Sequence, residues 1–220
     1  MFQRIKRKIS GSQFNILTSI IYLHRKITFN LIRGLRYSIF GNACFPFLKG
    51  SNVKILFSSK FKAGKGCYLG DFSLFNCLSK QGVVLGDNVT IREGAWVQLT
   101  SDLSHPGEFI EVGSNTYIGP KVSLGAAAPI KIGERCQIGG NVTFIAENHQ
   151  FQPGLDISQQ GVTREGIYIG DDCWLGNNVT ILDGVTLGKG CVVGAGSVVT
   201  KSFSSNAIIV GNPARLLRER

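Results

Sequence analysis

Residues 169–199 read IGDDCWLGNNVTILDGVTLGKGCVVGAGSVV. Ile169, Leu175, Ile181, Leu187, Val193 and Val199 stand in this stretch at a strict period of six. A second position keeps the same phase: four residues after each aliphatic comes a small or apolar one, Cys173, Val179, Val185, Cys191 and Ser197. That position lies two residues before the next aliphatic, and side chains two apart on a strand share a face. Each hexad is therefore a short strand with two inward residues, followed by a turn. Three such faces closing a triangle make a coil of roughly 18 residues, stacked at about 4.8 Å, the ordinary distance between strands. An α-helix fails here, because a period of six walks around a 3.6-residue turn and the many glycines would be costly. The stretch predicts a parallel β-helix.

Outward from it the same grammar continues. Aliphatic-Gly pairs recur at Leu69-Gly70, Leu85-Gly86, Val112-Gly113, Ile118-Gly119, Leu124-Gly125, Ile132-Gly133 and Ile138-Gly139. Cys67, Cys136, Cys173 and Cys191 all occupy the small inward position, so core packing explains them better than redox chemistry. Interruptions of the hexad phase become loops, which tend to gather on a binding face. The largest interruption, 146–166, predicts an extruded loop with His149 at its base; shorter ones fall at 75–82 and at 101–109, where His105 stands.

The first 50 residues carry no hexads. From about Gln13 to Phe40 a helical pattern puts Ile16, Ile20, Leu23, Ile27, Leu31 and Leu35 on one stripe, with Arg25, Lys26, Arg33 and Arg36 clustered opposite. Charge divides in the same way. Residues 1–70 hold 13 Lys and Arg and no Asp or Glu, whereas 71–220 hold 11 and 14, so the net charge of +10 is a property of the N-terminal third. With Arg4, Lys6, Arg7 and Lys8 ahead of it, the segment suits an anionic membrane surface through residues 1–40; equally, its stripe could cap the open end of the solenoid, and the two are compatible. Nucleic acid is disfavoured, since no binding motif accompanies the charge. Phe14 to Leu23 is too short to span a bilayer and is followed by His24-Arg25-Lys26 rather than a cleavage site. Six cysteines form no C-x-x-C pair and no metal-ligand spacing with histidine, so no metal is expected. The reading is a cytoplasmic protein with reduced thiols, with peripheral contact to the inner face of the membrane as an option. Three parts are expected: a basic amphipathic helical segment at 1–50, the β-helix at 51–212 and a C-terminal tail at 213–220.

The hexads, Asn148-His149, the run Ile169-Gly170-Asp171-Asp172-Cys173-Trp174-Leu175-Gly176, Val193 through Lys201, and Gly211-Asn212-Pro213-Ala214-Arg215 together resemble the hexapeptide-repeat acyltransferases, above all the maltose, galactoside and exopolysaccharide O-acetyltransferases. The resemblance covers about 69–218. It implies a left-handed coil, a homotrimer with active sites between neighbouring subunits, and acetyl-CoA-dependent O-acetylation of a sugar hydroxyl on a polysaccharide or lipid-linked saccharide. Such transfer needs a base for the hydroxyl proton and donors for the oxyanion. His149 stands where the family keeps its catalytic histidine, with Glu147 and Asn148 in support and Glu147 a candidate to hold the second ring nitrogen. Acetyl-CoA would lie against Trp174, Asn177, Ala195, Gly196, Ser197, Thr200 and Lys201, with Arg215 and Arg218 near its phosphates. Some members also carry an Asn one coil earlier; here Gly119-Pro120-Lys121-Val122 has none, which leaves the acceptor and the oxyanion arrangement open. The alternatives are a small acceptor such as serine or an amino sugar, and a catalytically silent scaffold. Serine acetyltransferases carry a longer helical N-terminal domain, and a carbonic anhydrase on this solenoid needs three converging histidines that His24, His105 and His149 do not supply.

Overall fold

A computed structural model describes residues 15–100 and 102–220; Arg4, Lys6, Arg7 and Lys8 lie outside the described residues. The chain passes in rotation through three sheets of nine, seven and six strands, the walls of a triangular prism. Strands pair in parallel with those one coil away. One turn takes 18 residues from Trp174 to Val192, but 27 from Thr90 to Tyr117 and 37 from Gln137 to Trp174. The excess in the two long turns is the material extruded as loops.

The inward columns follow the hexad pattern. Cys67, Val89, Thr116, Cys136, Cys173 and Cys191 stack on one wall, beside Leu69, Ile91, Ile118, Ile138, Leu175 and Val193, and all are buried. The small column does more than fill space. Cys67 Sγ donates to the Gly86 carbonyl (3.0 Å), Cys136 to Gly170 (3.2 Å), Cys173 to Gly188 (3.3 Å) and Cys191 to Ser204 (3.1 Å), while Thr116 Oγ1 donates to Gly133 (2.8 Å). A small residue with a donor meets a carbonyl at the corner of the next coil that would otherwise be buried unpaired. Corners need left-handed backbone, supplied by Asn88, Asn115, Asn141 and Asn178 among others. The glycine after each aliphatic answers a separate demand: a Cβ at Gly70 would lie 2.2 Å from the Glu93 amide nitrogen of the next coil.

Helix α1 spans Ile16–Ile39, with the Asn15 side chain accepting from the Thr18 N–H (2.8 Å) as its cap. Its second half packs on the first strand, Leu48–Lys49. Contact is closest at Gly34, where a Cβ would stand 2.0 Å from the Phe47 carbonyl oxygen. Tyr37 then meets Phe47 edge-on (5.9 Å between centroids), Phe47 meets Phe61 (6.0 Å) and Phe61 meets Phe75 (6.1 Å), an aromatic run from the helix into the first coils.

Three expectations need correction. Among the described residues of α1 the buried ones are Ser19, Asn30, Gly34 and Tyr37, whereas Ile20 and Leu35 of the expected stripe are exposed and Ile27 and Leu31 half-buried; the side chains of Ile16, Leu23, Arg25 and Lys26 lie outside the described residues. Hydrophobic periodicity misplaced the stripe because the side that can approach the solenoid is set by a glycine and a polar-tipped ring. Leu48–Lys49, assigned to the helical segment, already belongs to the nine-stranded sheet. Residues 213–220 are no tail: Ala214–Glu219 folds back antiparallel on Ala207–Gly211 and ends that sheet, with Arg220 paired to Asp172 at 2.9 Å. Its arginines place charge along an edge that would otherwise invite pairing.

Phe61→Ala is expected to cost about 3–5 kcal/mol in urea unfolding, since it opens a cavity in the middle of the aromatic run. Thiol titration of the folded chain should label Cys44, which is exposed, and reach the five buried cysteines only after unfolding; burial pushes Cys67 up to about 11 and Cys77 up to about 12.

Candidate active site

Both long insertions leave the prism at the corner between the seven- and six-stranded sheets. After Thr143–Ile145 the chain extends outward, and Asn148–His149 pairs antiparallel with Val162–Thr163, His149 opposite Val162. The chain then re-enters the wall at Ile167–Ile169. Two sets of contacts tie the base of this hairpin. Arg164 makes an ion pair with Glu147 through Nε and Nη2, each 2.7 Å from the same carboxylate oxygen. Asp183, at the corner of the next coil, accepts from the N–H groups of Glu165 (3.0 Å) and Gly166 (2.8 Å). Farther out, Gln160 closes the loop on itself: its amide donates to the carbonyls of Gln152 (3.0 Å) and Leu155 (2.8 Å) and accepts from the Gln152 N–H (2.6 Å).

Arg164 has a second task. Its Nη1 donates to the carbonyl of His105 (3.2 Å), two coils earlier at the same corner, and so joins the two loops over the tight 126–129 turn. His105 in turn holds Asp102 at 3.0 Å, and this hydrogen bond, with one from the Ser104 N–H, keeps the Asp102 carboxyl below the usual carboxylate range.

His149 is exposed and borders a cavity of about 710 Å³ lined by Asn148, His149, Gln150, Phe151, Gln152, Thr163 and Leu182. Leu182 comes from the outer face of the seven-stranded sheet, so the hairpin leans over that wall. An exposed imidazole therefore borders a space lined by two apolar side chains, three side-chain amides and the Thr163 hydroxyl, a surface suited to a polyhydroxyl molecule. Asn148 lies opposite Thr163 in the hairpin. Glu147 does not hold the His149 ring: its carboxylate is taken by the guanidinium of Arg164, a partner with permanent charge. Arg164 and Asp183 were not among the expected site residues. Their only signal in the sequence is position, at the end of the loop and one coil beyond it.

Of the residues expected to hold acetyl-CoA, Asn177, Ala195, Gly196, Thr200 and Lys201 stand at two edges of the prism. Asn177, Ala195 and Gly196 share the corner between the nine- and seven-stranded sheets, where the Asn177 side chain accepts from the Gly140 N–H (2.7 Å) and a Cβ at Gly196 would meet open space. Gly119-Pro120-Lys121-Val122 turns at this same corner, not at that of His149. Thr200 and Lys201 are exposed at the His149 corner, the Lys201 ammonium 5.7 Å from the Phe203 ring centroid. Trp174 is exposed on the nine-stranded wall. Ser197 is a correction: its side chain is buried, and its hydroxyl accepts from the Gly211 N–H (3.0 Å), because it occupies the small inward position of its hexad. Arg215 and Arg218 stand on the terminal strand, opposite Val210 and Ile208. Among the described residues no group of three or more His, Cys, Asp or Glu side chains could hold a metal ion.

Comparison with known proteins agrees with this architecture. The family described as bacterial transferase hexapeptide (six repeats) matches residues 166–201, and that described as hexapeptide repeat of succinyl-transferase matches 129–145. Galactoside O-acetyltransferase of Escherichia coli K12 is 34% identical over 130 residues, 59% of this chain and 63% of the relative, so the chain spans somewhat less than two thirds of that protein's length. A putative colanic acid biosynthesis acetyltransferase of the same organism, WcaF, is 33% identical over 141 residues, 63% of this chain and 70% of the relative. Among solved structures, a hexapeptide-repeat containing acetyltransferase of Vibrio cholerae, complexed with acetyl coenzyme A, superposes with a TM-score of 0.50 at 21% identity, over 99% of this chain and 84% of that one. The coil is thus the left-handed parallel β-helix, and with one relative a third identical and covered over more than two thirds of its length, the chain belongs to the hexapeptide-repeat acyltransferase family.

Proposed function

We propose that the protein is an acetyl-CoA-dependent O-acetyltransferase acting on a sugar hydroxyl of a polysaccharide or lipid-linked saccharide. The observation that carries this reading is the placement of His149, an exposed imidazole on a braced hairpin beside a cavity with polar and apolar walls. The named activities of the relatives, on a galactoside and in colanic acid synthesis, and the acetyl coenzyme A bound by the Vibrio cholerae protein supply the substrate classes. In this reading His149 takes the proton of the attacking hydroxyl as its oxygen bonds to the thioester carbonyl carbon. The carbon–sulfur bond then breaks, the proton passes to the departing thiolate, and free coenzyme A leaves with the acetyl ester formed.

In this reading the donor follows the outer face of the seven-stranded sheet. It runs from the His149 cavity, by way of Leu182, toward the open corner at Asn177, Ala195 and Gly196, where small residues let pantetheine come close to the backbone. Thr200 and Lys201 flank the start of this path. Because Trp174, Arg215 and Arg218 stand on the nine-stranded wall, away from the His149 corner, a homotrimer in which neighbouring prisms meet would complete the site.

Purified protein given acetyl-CoA and a panel of sugars should release thiol in an acceptor-dependent way. His149→Ala should lower that rate by about 10²–10⁴-fold while leaving acetyl-CoA binding in place. Equal release by wild type and variant would remove His149 as the base, and failure of either to bind acetyl-CoA would favour a scaffold. Glu147→Gln should reduce kcat more than it raises the KM for acetyl-CoA, since it releases Arg164 and loosens the hairpin rather than the donor path. Sedimentation should give three times the mass of the 23.9 kDa chain.

A further inference from the structure

Helix α1 is turned the unusual way round. Its polar and small residues Ser19, Asn30 and Gly34 face the solenoid with Tyr37, and among the described side chains Leu17, Ile20, Ile21, Ile32, Leu35 and Ile39 face out. Leu17, Ile21, Ile32, Leu35 and Ile39 are 67%, 50%, 63%, 45% and 69% exposed. At 100° per residue they fall within about a sixth of the helix circumference and form a row that is interrupted at its middle, between Ile21 and Ile32, by the hydrogen-bonded polar pair His24 and Thr28. Phe40 extends the row beyond the last turn and is also exposed. A surface helix ordinarily puts such residues inward, and apolar clusters left in water along one side of a helix mark a docking face.

The charge around the row selects its occupant. Arg36 is exposed at the flank of the row, its guanidinium 5.0 Å from the Tyr37 ring centroid, and Arg33 is exposed nearer the solenoid side, where it donates to the Asn30 side chain (2.9 Å). Lys49, on the strand beneath, has its ammonium held below the usual lysine range by burial and then by the positive charges of Arg36 and Arg33. Asp71 and Glu93 line a cavity between the helix and the first coils together with Ile21 and Arg33, so these acidic groups stand on the solenoid side of the helix. No acidic residue precedes Asp71 in the chain. A second copy of the chain would bring the same positive charge against this face, whereas an anionic bilayer offers both phosphates for the arginines and hydrocarbon for the row. No helix of the described residues is long and apolar enough to cross a membrane, so the helix would lie in the plane of the interface.

We propose that the outer face of α1 docks the protein on an anionic lipid bilayer, with Leu17, Ile21, Ile32, Leu35 and Ile39 entering the interface and Arg33 and Arg36 meeting headgroup phosphates. The face differs from the stripe that periodicity suggests and lies apart from the His149 hairpin, so it stands or falls independently of acyl transfer.

The test is co-sedimentation of the full-length chain with vesicles of equimolar phosphatidylcholine and phosphatidylglycerol, and with vesicles of phosphatidylcholine alone. The wild type should bind the anionic vesicles at least tenfold more tightly. Ile32→Glu/Ile39→Glu and, separately, Arg33→Gln/Arg36→Gln should each weaken that binding by roughly tenfold or more, given about 1 kcal/mol per cation at such a surface. Leu103→Glu, at an exposed apolar residue on another loop, should leave it unchanged. Equal binding to both vesicle types, or indifference to both double variants, would overturn the proposal. So would variants that change the sedimentation mass yet still bind vesicles, which would make the face an interface between copies, or retention of nucleic acid in place of vesicles. If the glutamate variant loses its circular dichroism spectrum, the arginine pair, which keeps every apolar contact, decides.

Discussion

Coil rests on coil through a column of small inward residues, and the rest of the molecule depends on that contact. Cys67, Thr116, Cys136, Cys173 and Cys191 each send a weak or ordinary donor to a corner carbonyl of the following coil. The column is small because three walls converge on a narrow interior, and polar at one atom because a buried carbonyl without a partner is expensive. Once this interior repeats, the backbone ladders follow, and the outer faces of the sheets are free to vary.

That freedom explains where the chemistry sits. An insertion at a corner leaves the interior undisturbed, since the strands on either side still find their partners one coil away: Gln137 pairs with Trp174 across an intervening loop as Trp174 pairs with Val192 without one. A loop projected into water still needs bracing to hold a side chain for proton transfer. Glu147, Arg164 and Asp183 brace it at the base, and the Arg164 contact with the His105 carbonyl ties it to the loop two coils earlier. The pair Glu147–Arg164 is half-buried, where an ion pair fixes geometry more than it adds stability.

The N-terminal helix obeys a different constraint. Gly34 allows it to touch the Phe47 backbone, and Tyr37 continues the aromatic run that closes the first coils. Once those two residues face inward, the helix has no further choice of rotation. Leu17, Ile21, Ile32, Leu35 and Ile39 are then carried outward whatever their hydrophobicity, while Ile27 and Leu31 stay half-buried.

The sequence by itself determined the β-helix, its hexad phase, the inward cysteines, the corners at which the chain leaves the prism and the candidacy of His149. All of these are local or periodic, and a period of six is recorded in the order of residues. Tertiary structure alone decided which side of α1 is buried, that 214–219 returns as a strand, that Ser197 spends its hydroxyl on the Gly211 amide, and that Glu147 belongs to Arg164 rather than to the histidine. Each of these depends on which groups meet across a gap in sequence. A side chain two residues from an imidazole competes with a guanidinium 17 residues away, and only the folded chain shows which of them it reaches.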